Sequence, residues 1–268
     1  MRQPSRLRAE APFAEQYALV DRQVVADGRW AQAWRMDAGN AVSLLPVLWL
    51  YAHGHEHHHA TVRFRTVAQL AGLGSKGMNC AMAAIRETGL MNFVSCPGNA
   101  LLTFRVTPNV FTANPQCGFY VPGSLVADGT WAALSPGERC VLIALASAAR
   151  RKDFHSEDDW DEGERFRSWL NSHRAVSGES NLKWIDESEH AFEYEWEAAR
   201  RLACMTGVSL ASSSGMHPAS VSRAVNKLVS RMPSILSIYD TSWGRYYLLP
   251  PAVWANTAVR VQLSRAEG

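Results

Sequence analysis

Hydrophobic residues recur at helical spacing near the end of the chain. Val221, Ala224, Val225 and Leu228 fall at positions i, i+3, i+4 and i+7, which places them on one face of a helix. The positions between them are small, hydroxyl, amide or cationic side chains and include no acid. This pattern predicts a helix with one buried and one exposed face.

The residues just before this helix predict a helix-turn-helix. A short helix is expected to open at Leu210, because Ser209 is a good N-cap residue. Gly215 allows the left-handed backbone of a tight turn, and Met216 is expected to fill the angle between the two helices. Pro218 suits the first helical turn, where its missing N–H costs nothing.

The exposed face of the second helix suits the major groove of DNA. Small residues permit close approach, and arginine or asparagine can pair with guanine or adenine edges. An ordinary helical hairpin with a solvated polar face is the alternative, but the turn residues, the absence of acid and the wing-like segment that follows favour DNA binding. The predicted DNA-contacting residues of this region are His217, Ser220, Ser222, Arg223, Asn226, Lys227 and Arg245.

A seven-residue pattern occurs twice along the chain. Val25–Ala31 reads VADGRWA and Val126–Ala132 reads VADGTWA, an offset of 101 positions. Each copy precedes an apolar helix, predicted from about Ala41 to His53 and from Pro136 to Arg151. A capping box, formed by the serine before that proline and the glutamate two residues after it, marks the start of the second.

The helix-turn-helix has an earlier counterpart at an offset of 143 positions. Val67-Ala68, Gly72-Leu73, Met78, Ala81-Met82 and Ile85 match Leu210-Ala211, Gly215-Met216, Val221, Ala224-Val225 and Leu228. Agreement of two independent patterns indicates a duplication, in which the second repeat has gained about 42 residues before its helix-turn-helix. The candidate DNA-contacting residues of the first repeat are Arg63, Lys76, Asn79 and Arg86.

Strand-like segments surround both helix-turn-helices and complete the predicted fold. They are Thr61 to Arg65, Leu90 to Ser95, Ala100 to Val106, Ile235 to Tyr239 and Arg245 to Leu249. The resulting order, helix–strand–helix–helix–strand–strand, is that of a winged helix. We therefore predict a mostly α protein with small β wings (α+β) and two tandem winged-helix domains at 1–113 and 114–250, followed by a C-terminal tail at 251–268.

Charge is segregated along the chain, although the net charge is only +2. The segment 153–197 holds fourteen acidic and four basic residues, which leaves 11 acidic and 23 basic residues elsewhere, a formal balance of +12. Such a basic balance is expected of a polyanion-binding protein. Four tryptophans in the acidic insertion 153–197 indicate that it packs, and it is predicted to offer a partner or self-association surface. The alternative is autoinhibition, in which the acidic residues occupy the basic surface until DNA displaces them.

Catalytic, metal and cofactor chemistry is not expected. Five histidines lie between His53 and His59, but without a cysteine or carboxylate cluster they favour a polar loop over a metal site. No phosphate-binding loop or nucleophile elbow is present. The five scattered cysteines predict reduced thiols in a cytoplasmic protein, and the longest apolar run, near Val42 to Tyr51, is too short to span a membrane.

Two tandem winged helices in a chain of this size resemble the plasmid replication initiators. The segment from Tyr120-Val121-Pro122 through Trp131, Leu134-Ser135-Pro136 and Leu142 also looks like the opening of winged-helix proteins of plasmids, phages and integrative elements. The resemblance covers roughly residues 13 to 250. It implies that the second winged helix dominates site recognition, whereas the first contributes weaker DNA contacts or a dimer surface.

The sequence therefore predicts a sequence-specific double-stranded DNA-binding protein, and the resemblance implies a replication initiator of a plasmid or mobile element that binds origin repeats. A winged-helix transcriptional regulator and a non-catalytic protein–protein assembly module are the alternatives. The expected partners are duplex DNA, a second copy of the chain and a protein that docks on the acidic insertion.

Overall fold

The computed structural model describes residues 16–37, 39–95, 100–150, 202–232, 235–241 and 244–254, together with Arg165 and Ser168. The first part of the chain contains β1 (Tyr17–Asp21), α1 (Gln23–Ala26), α2 (Arg29–Asp37), α3 (Asn40–Ala52), β2 (His59–Arg63), α4 (Phe64–Leu70), α5 (Ser75–Glu87), β3 (Met91–Ser95) and β4 (Leu101–Val106). The later part contains β5 (Gly118–Pro122), α6 (Gly123–Ala127), α7 (Thr130–Ala133), α8 (Pro136–Ala148), β6 (Leu202–Cys204), α9 (Gly207–Ser214), α10 (Pro218–Arg231), β7 (Ser237–Thr241), β8 (Gly244–Leu248) and α11 (Pro251–Trp254).

Helices α3 and α8 are core elements. Every residue of α3 from Ala41 to Ala52 is buried, and so is α8 from Glu138 to Ser147. A helix that is hydrophobic on all sides has no solvent face to present, so it is covered on all sides by other elements. The predicted bounds of both helices are confirmed to within one residue at their N-termini, and the capping box is present: Ser135 N–H donates to Glu138 Oε2 (2.6 Å), and Glu138 N–H donates to Ser135 Oγ (3.4 Å).

The strands form three small antiparallel sheets. One is the two-stranded pair β1–β5, and the others are three-stranded, in the orders β2-β4-β3 and β6-β8-β7. The chain therefore has the mixed α+β composition that the sequence predicts.

The same series of elements occurs twice. Strands β1 and β5 start 101 residues apart, the offset of the repeated tryptophan-containing pattern. Strands β2 and β6, helices α4 and α9 and helices α5 and α10 each start 143 residues apart, the offset predicted for the helix-turn-helix. Both three-stranded sheets also share one strand order, since in each of them the last strand lies between the other two.

The buried stripe predicted on α10 is confirmed. Val221, Ala224, Val225 and Leu228 are all buried, and Met216 is buried just before the helix. The turn residue Gly215 has a φ of +70°, the left-handed conformation predicted for it.

Several predicted element boundaries were wrong. Helix α9 begins at Gly207, so Ser209 lies within its first turn instead of capping it. Strand β2 ends at Arg63 because Phe64 already begins α4 as a buried residue. The stretch from about Glu189 to Met205 is predicted from its sequence to be helical, but Leu202–Cys204 forms a strand, since pairing with β8 satisfies its backbone groups.

Two compact units divide the chain differently from the predicted domains. One unit comprises the described residues within Met1–Ser147 and Gly207–Val225, and the other those within Ala148–Thr206 and Asn226–Gly268. The pairing of β1 with β5 crosses the boundary predicted at residue 113, so the division into two consecutive domains stays a prediction. Residues 96–99, the acidic insertion apart from Arg165 and Ser168, and the tail beyond Trp254 lie outside the described residues.

Among the helices that the structure describes, none is both long enough and apolar enough to cross a bilayer.

Candidate nucleic-acid interface

The exposed face of α10 is built by the same periodicity that buries its stripe. The predicted contact residues Ser222, Arg223, Asn226 and Lys227 are exposed, and Ser220 is half-buried. The helix sequence PASVSRAVNKLVSR contains two arginines and one lysine and no acidic residue. The exposed face is therefore cationic and rich in hydrogen-bonding groups.

Arg223 is folded back along its own helix. Its Nε donates to the Ala219 carbonyl (3.3 Å) and its Nη2 donates to Ser220 Oγ (3.2 Å). Both bonds are exposed and long, so they cost little to exchange for bonds to a ligand. The guanidinium is thereby placed over the first turn of the helix, the end that reads bases in helix-turn-helix proteins.

His217 caps α10, a role that its prediction as a DNA contact did not include. Its Nδ1 accepts from the Ala219 N–H (3.3 Å), and its carbonyl accepts from the N–H groups of Ser220 (2.9 Å) and Val221 (3.1 Å). The His217 side chain is exposed. His217 thus satisfies the free N–H groups that begin a helix, in place of the usual serine or aspartate.

The first repeat offers a sparser face on α5. Lys76 and Asn79 are exposed there, together with Cys80 and Ala83. Arg86 lies farther along α5, with its guanidinium carbon 5.4 Å from the centre of the Phe93 ring. This cation–π contact ties Arg86 to strand β3 and orients its charge towards the sheet.

The two predicted DNA-contacting arginines that lie on strands differ in their surroundings. Arg245 on β8 donates from Nε to Asp240 Oδ1 (2.8 Å) and from Nη2 to Asp240 Oδ2 (3.3 Å), and this hydrogen bonding raises the pKa of its guanidinium. Arg63 lies exposed on β2 opposite Leu101. A phosphate would meet a partly neutralised cation at Arg245, whereas no ion pair of Arg63 is seen among the described residues.

Sequence reasoning missed a polar row on the first three-stranded sheet. Arg105 on β4 lies between His59 on β2 and Asn92 on β3, and all three are exposed. In the next row Thr61 and Thr103 share a hydrogen bond (3.1 Å). The sequence of β4 contains the signal that would have identified this face: polar Thr103 and Arg105 alternate with apolar residues, and residues two apart in a strand point to the same side.

The histidine cluster between α3 and β2 packs as part of the protein surface. The rings of His53 and His58 contact Phe111, with ring centres 5.4 and 4.7 Å from it, and burial lowers the pKa of both imidazoles. His57 and His58 both have positive φ values, which turn the chain into β2. Among the residues that the structure describes, no three histidine, cysteine, aspartate or glutamate side chains are grouped so as to hold a metal ion.

The chain matches no protein-family model, no curated protein and no solved structure.

Proposed function

We propose that this chain is a sequence-specific double-stranded DNA-binding protein, in which each helix-turn-helix and the strands that flank it in the sequence form a winged helix. The main support for this proposal is the exposed face of α10, where hydrogen-bonding and cationic side chains lie together without an acidic residue. That helix follows a glycine turn, and its opposite face is buried, so it is presented as a rigid element. The formal balance of +12 outside the acidic insertion adds long-range attraction for a polyanion.

The proposed recognition follows from the chemistry of each side chain. Arg223 can exchange its bonds to Ala219 and Ser220 for a bidentate pair with guanine O6 and N7. Asn226 can pair in the same way with adenine N6 and N7. Lys227 and the serines supply phosphate contacts, which fix the position of the helix without reading sequence.

The test compares Arg223→Ala with a matched control, Arg35→Ala, an exposed arginine on α2. Both variants lose one positive charge, but only Arg223 lies on the proposed reading face. Arg223→Ala should weaken binding to the specific site by about 1–3 kcal/mol and change binding to random DNA much less. Binding is measured by fluorescence anisotropy at fixed salt, on DNA selected from a random pool.

Equal losses for Arg223→Ala on specific and random DNA would reduce that residue to a phosphate contact. If the wild-type protein bound no duplex at any salt concentration, the proposal would be wrong, and a non-catalytic assembly module would take its place.

Within DNA binding, we propose that the chain initiates replication of a plasmid or mobile element in the cytoplasm. The support is the duplicated order of elements and the resemblance of a tandem winged-helix chain to plasmid initiators. The test is a plasmid that depends on the DNA flanking this gene. Loss of plasmid maintenance on deletion of several adjacent bound sites would support initiation. Unchanged maintenance with altered transcription from one bound promoter site would identify a regulator instead.

A further inference from the structure

The β1–β5 pair brings equivalent residues of the two repeats face to face. Leu19 pairs with Tyr120, its own equivalent at the offset of 101. On either side, Tyr17 pairs with Pro122 and Asp21 pairs with Gly118. At the same offset, Tyr17 is equivalent to Gly118 and Asp21 is equivalent to Pro122, so each pair contains the equivalents of the two residues in the other pair. Such reciprocal contact is the signature of a two-fold axis, here a local one within a single chain.

The two repeated tryptophans follow the same reciprocity. Trp30 of the first repeat donates from Nε1 to the carbonyl of Cys140 (3.2 Å), which lies on α8 of the second repeat. Trp131 of the second repeat donates from Nε1 to the carbonyl of Ser43 (2.9 Å), which lies on α3 of the first repeat. Both indoles are fully buried, so each repeat completes its core with a side chain of the other.

The turn of each helix-turn-helix also packs against the other repeat. A Cβ added to Gly72 would lie 2.9 Å from the carbonyl oxygen of Ala132, and one added to Gly215 would lie 2.7 Å from that of Ala31. The two glycines are equivalent at the offset of 143, and the two alanines at the offset of 101. The turn of each helix-turn-helix thus packs against the tryptophan-bearing helix of the other repeat.

We infer that a single chain binds DNA as a built-in dimer, and that its target is a pair of half-sites in inverted orientation. The inference rests on the proposed DNA binding. All of α5 and the first part of α10, through Val225, belong to the unit that contains the local two-fold axis. Two helix-turn-helices related by a two-fold axis read sequences that are themselves related by inversion, because the symmetry of the protein is mirrored in the site.

The two half-sites are expected to differ in sequence. At equivalent exposed positions, 143 residues apart, α5 carries Lys76, Asn79, Cys80 and Ala83, whereas α10 carries Ala219, Ser222, Arg223 and Asn226. Wherever one helix carries an arginine or asparagine that can pair with a base edge, the other helix carries a different side chain at the equivalent position. The target is therefore an imperfect inverted repeat, which a true homodimer would have no reason to prefer.

The test selects bound duplexes from a random pool with the full-length wild-type chain and then inverts one of the two enriched blocks. We expect two unlike blocks in inverted orientation, one chain per duplex by mass photometry, and a loss of at least tenfold in affinity when one block is inverted. The matched variants Asn79→Ala and Asn226→Ala, checked for native near-UV circular dichroism, should each erase base preference in a different block.

Blocks in direct orientation, a single block, two chains per site or one chain holding two separate duplexes would each overturn the inference while leaving DNA binding intact. Absence of any salt-dependent duplex binding would overturn both the inference and the proposed function. If both asparagine variants affected the same block, the two helices would not read separate half-sites, and the inference would also be wrong.

Discussion

The turn of the second helix-turn-helix packs closely against the first repeat at Gly215, so Gly215→Ala is expected to lower the free energy of unfolding. The new Cβ would lie 2.7 Å from the carbonyl oxygen of Ala31 and 3.0 Å from its Cα, and that backbone belongs to a packed helix. The left-handed conformation costs an alanine about 1–2 kcal/mol, and a forced shift of packed backbone costs about 1–3 kcal/mol. The stiffer unfolded chain offsets about 0.4–1 kcal/mol of this.

The net expectation is a loss of about 1–5 kcal/mol in the free energy of unfolding, which corresponds to a decrease of roughly 2–20 °C in Tm for a chain of this size. Gly89→Ala is the matched control, because Gly89 has a φ of +67° but nothing lies within 4 Å of its added Cβ. It should cost only about 0–1.5 kcal/mol in the free energy of unfolding, because the conformational part acts alone.

Urea unfolding followed by tryptophan fluorescence measures both variants under the same conditions. Gly72→Ala, whose Cβ would meet the Ala132 carbonyl, should behave like Gly215→Ala. If Gly215→Ala cost no more than Gly89→Ala, the close packing of the turn on Ala31 would be refuted, and with it one of the reciprocal contacts that define the local two-fold axis.

Further predictions concern charge, buried polar groups and pH. Lys76→Ala should weaken binding uniformly across DNA sequences and lower the salt dependence by about one unit, whereas an altered sequence preference would show that Lys76 reads bases. Trp131→Phe leaves a buried carbonyl without its indole donor and should cost about 1–3 kcal/mol in urea unfolding. Burial lowers the pKa of His53 and His58 below the value of about 6.5 that they have in the unfolded chain. As the pH falls below about 6.5, the unfolded chain therefore binds protons more readily than the folded one, and stability decreases. A double variant with glutamine at both positions should show a smaller decrease in the urea midpoint over this pH range. Replacing the residues from Glu157 to Glu164 with serine and glycine while keeping the tryptophan should raise DNA affinity only slightly at moderate salt, and a gain of tenfold or more would indicate autoinhibition.

The sequence by itself determined the elements whose cause is local. The buried stripe of α10 follows from the spacing of Val221 and Leu228 with the alanine and valine between them, because a helix turns 100° per residue. The left-handed Gly215 and the capping box of Ser135 and Glu138 likewise depend on residues within a few positions. The exposed face of α10, and with it the candidate interface, follows from the same periodicity.

Only the tertiary structure determined the pairings between distant segments. Strands β1 and β5 are about 100 residues apart in the chain, and no local pattern specifies which strand will satisfy their backbone groups. Strand β6 has three residues, too few for an alternation of hydrophobic and polar residues to distinguish it from a helix end. Its conformation is set by the hydrogen bonds that β8 offers.

Arg139 shows most clearly the difference between what the sequence determines and what only the tertiary structure determines. An arginine within a helix is ordinarily expected at the surface, yet Arg139 is buried and its guanidinium donates to the carbonyls of Trp131 (2.8 Å), Ala71 (2.7 Å) and Ala132 (2.8 Å). Burial lowers its pKa to about 10. Those carbonyls lie at the ends of α4 and α7, where helix ends leave acceptors free, and they converge only once the two repeats have packed together. The sequence could supply the donor, but the position of its acceptors depends on the reciprocal packing of the repeats.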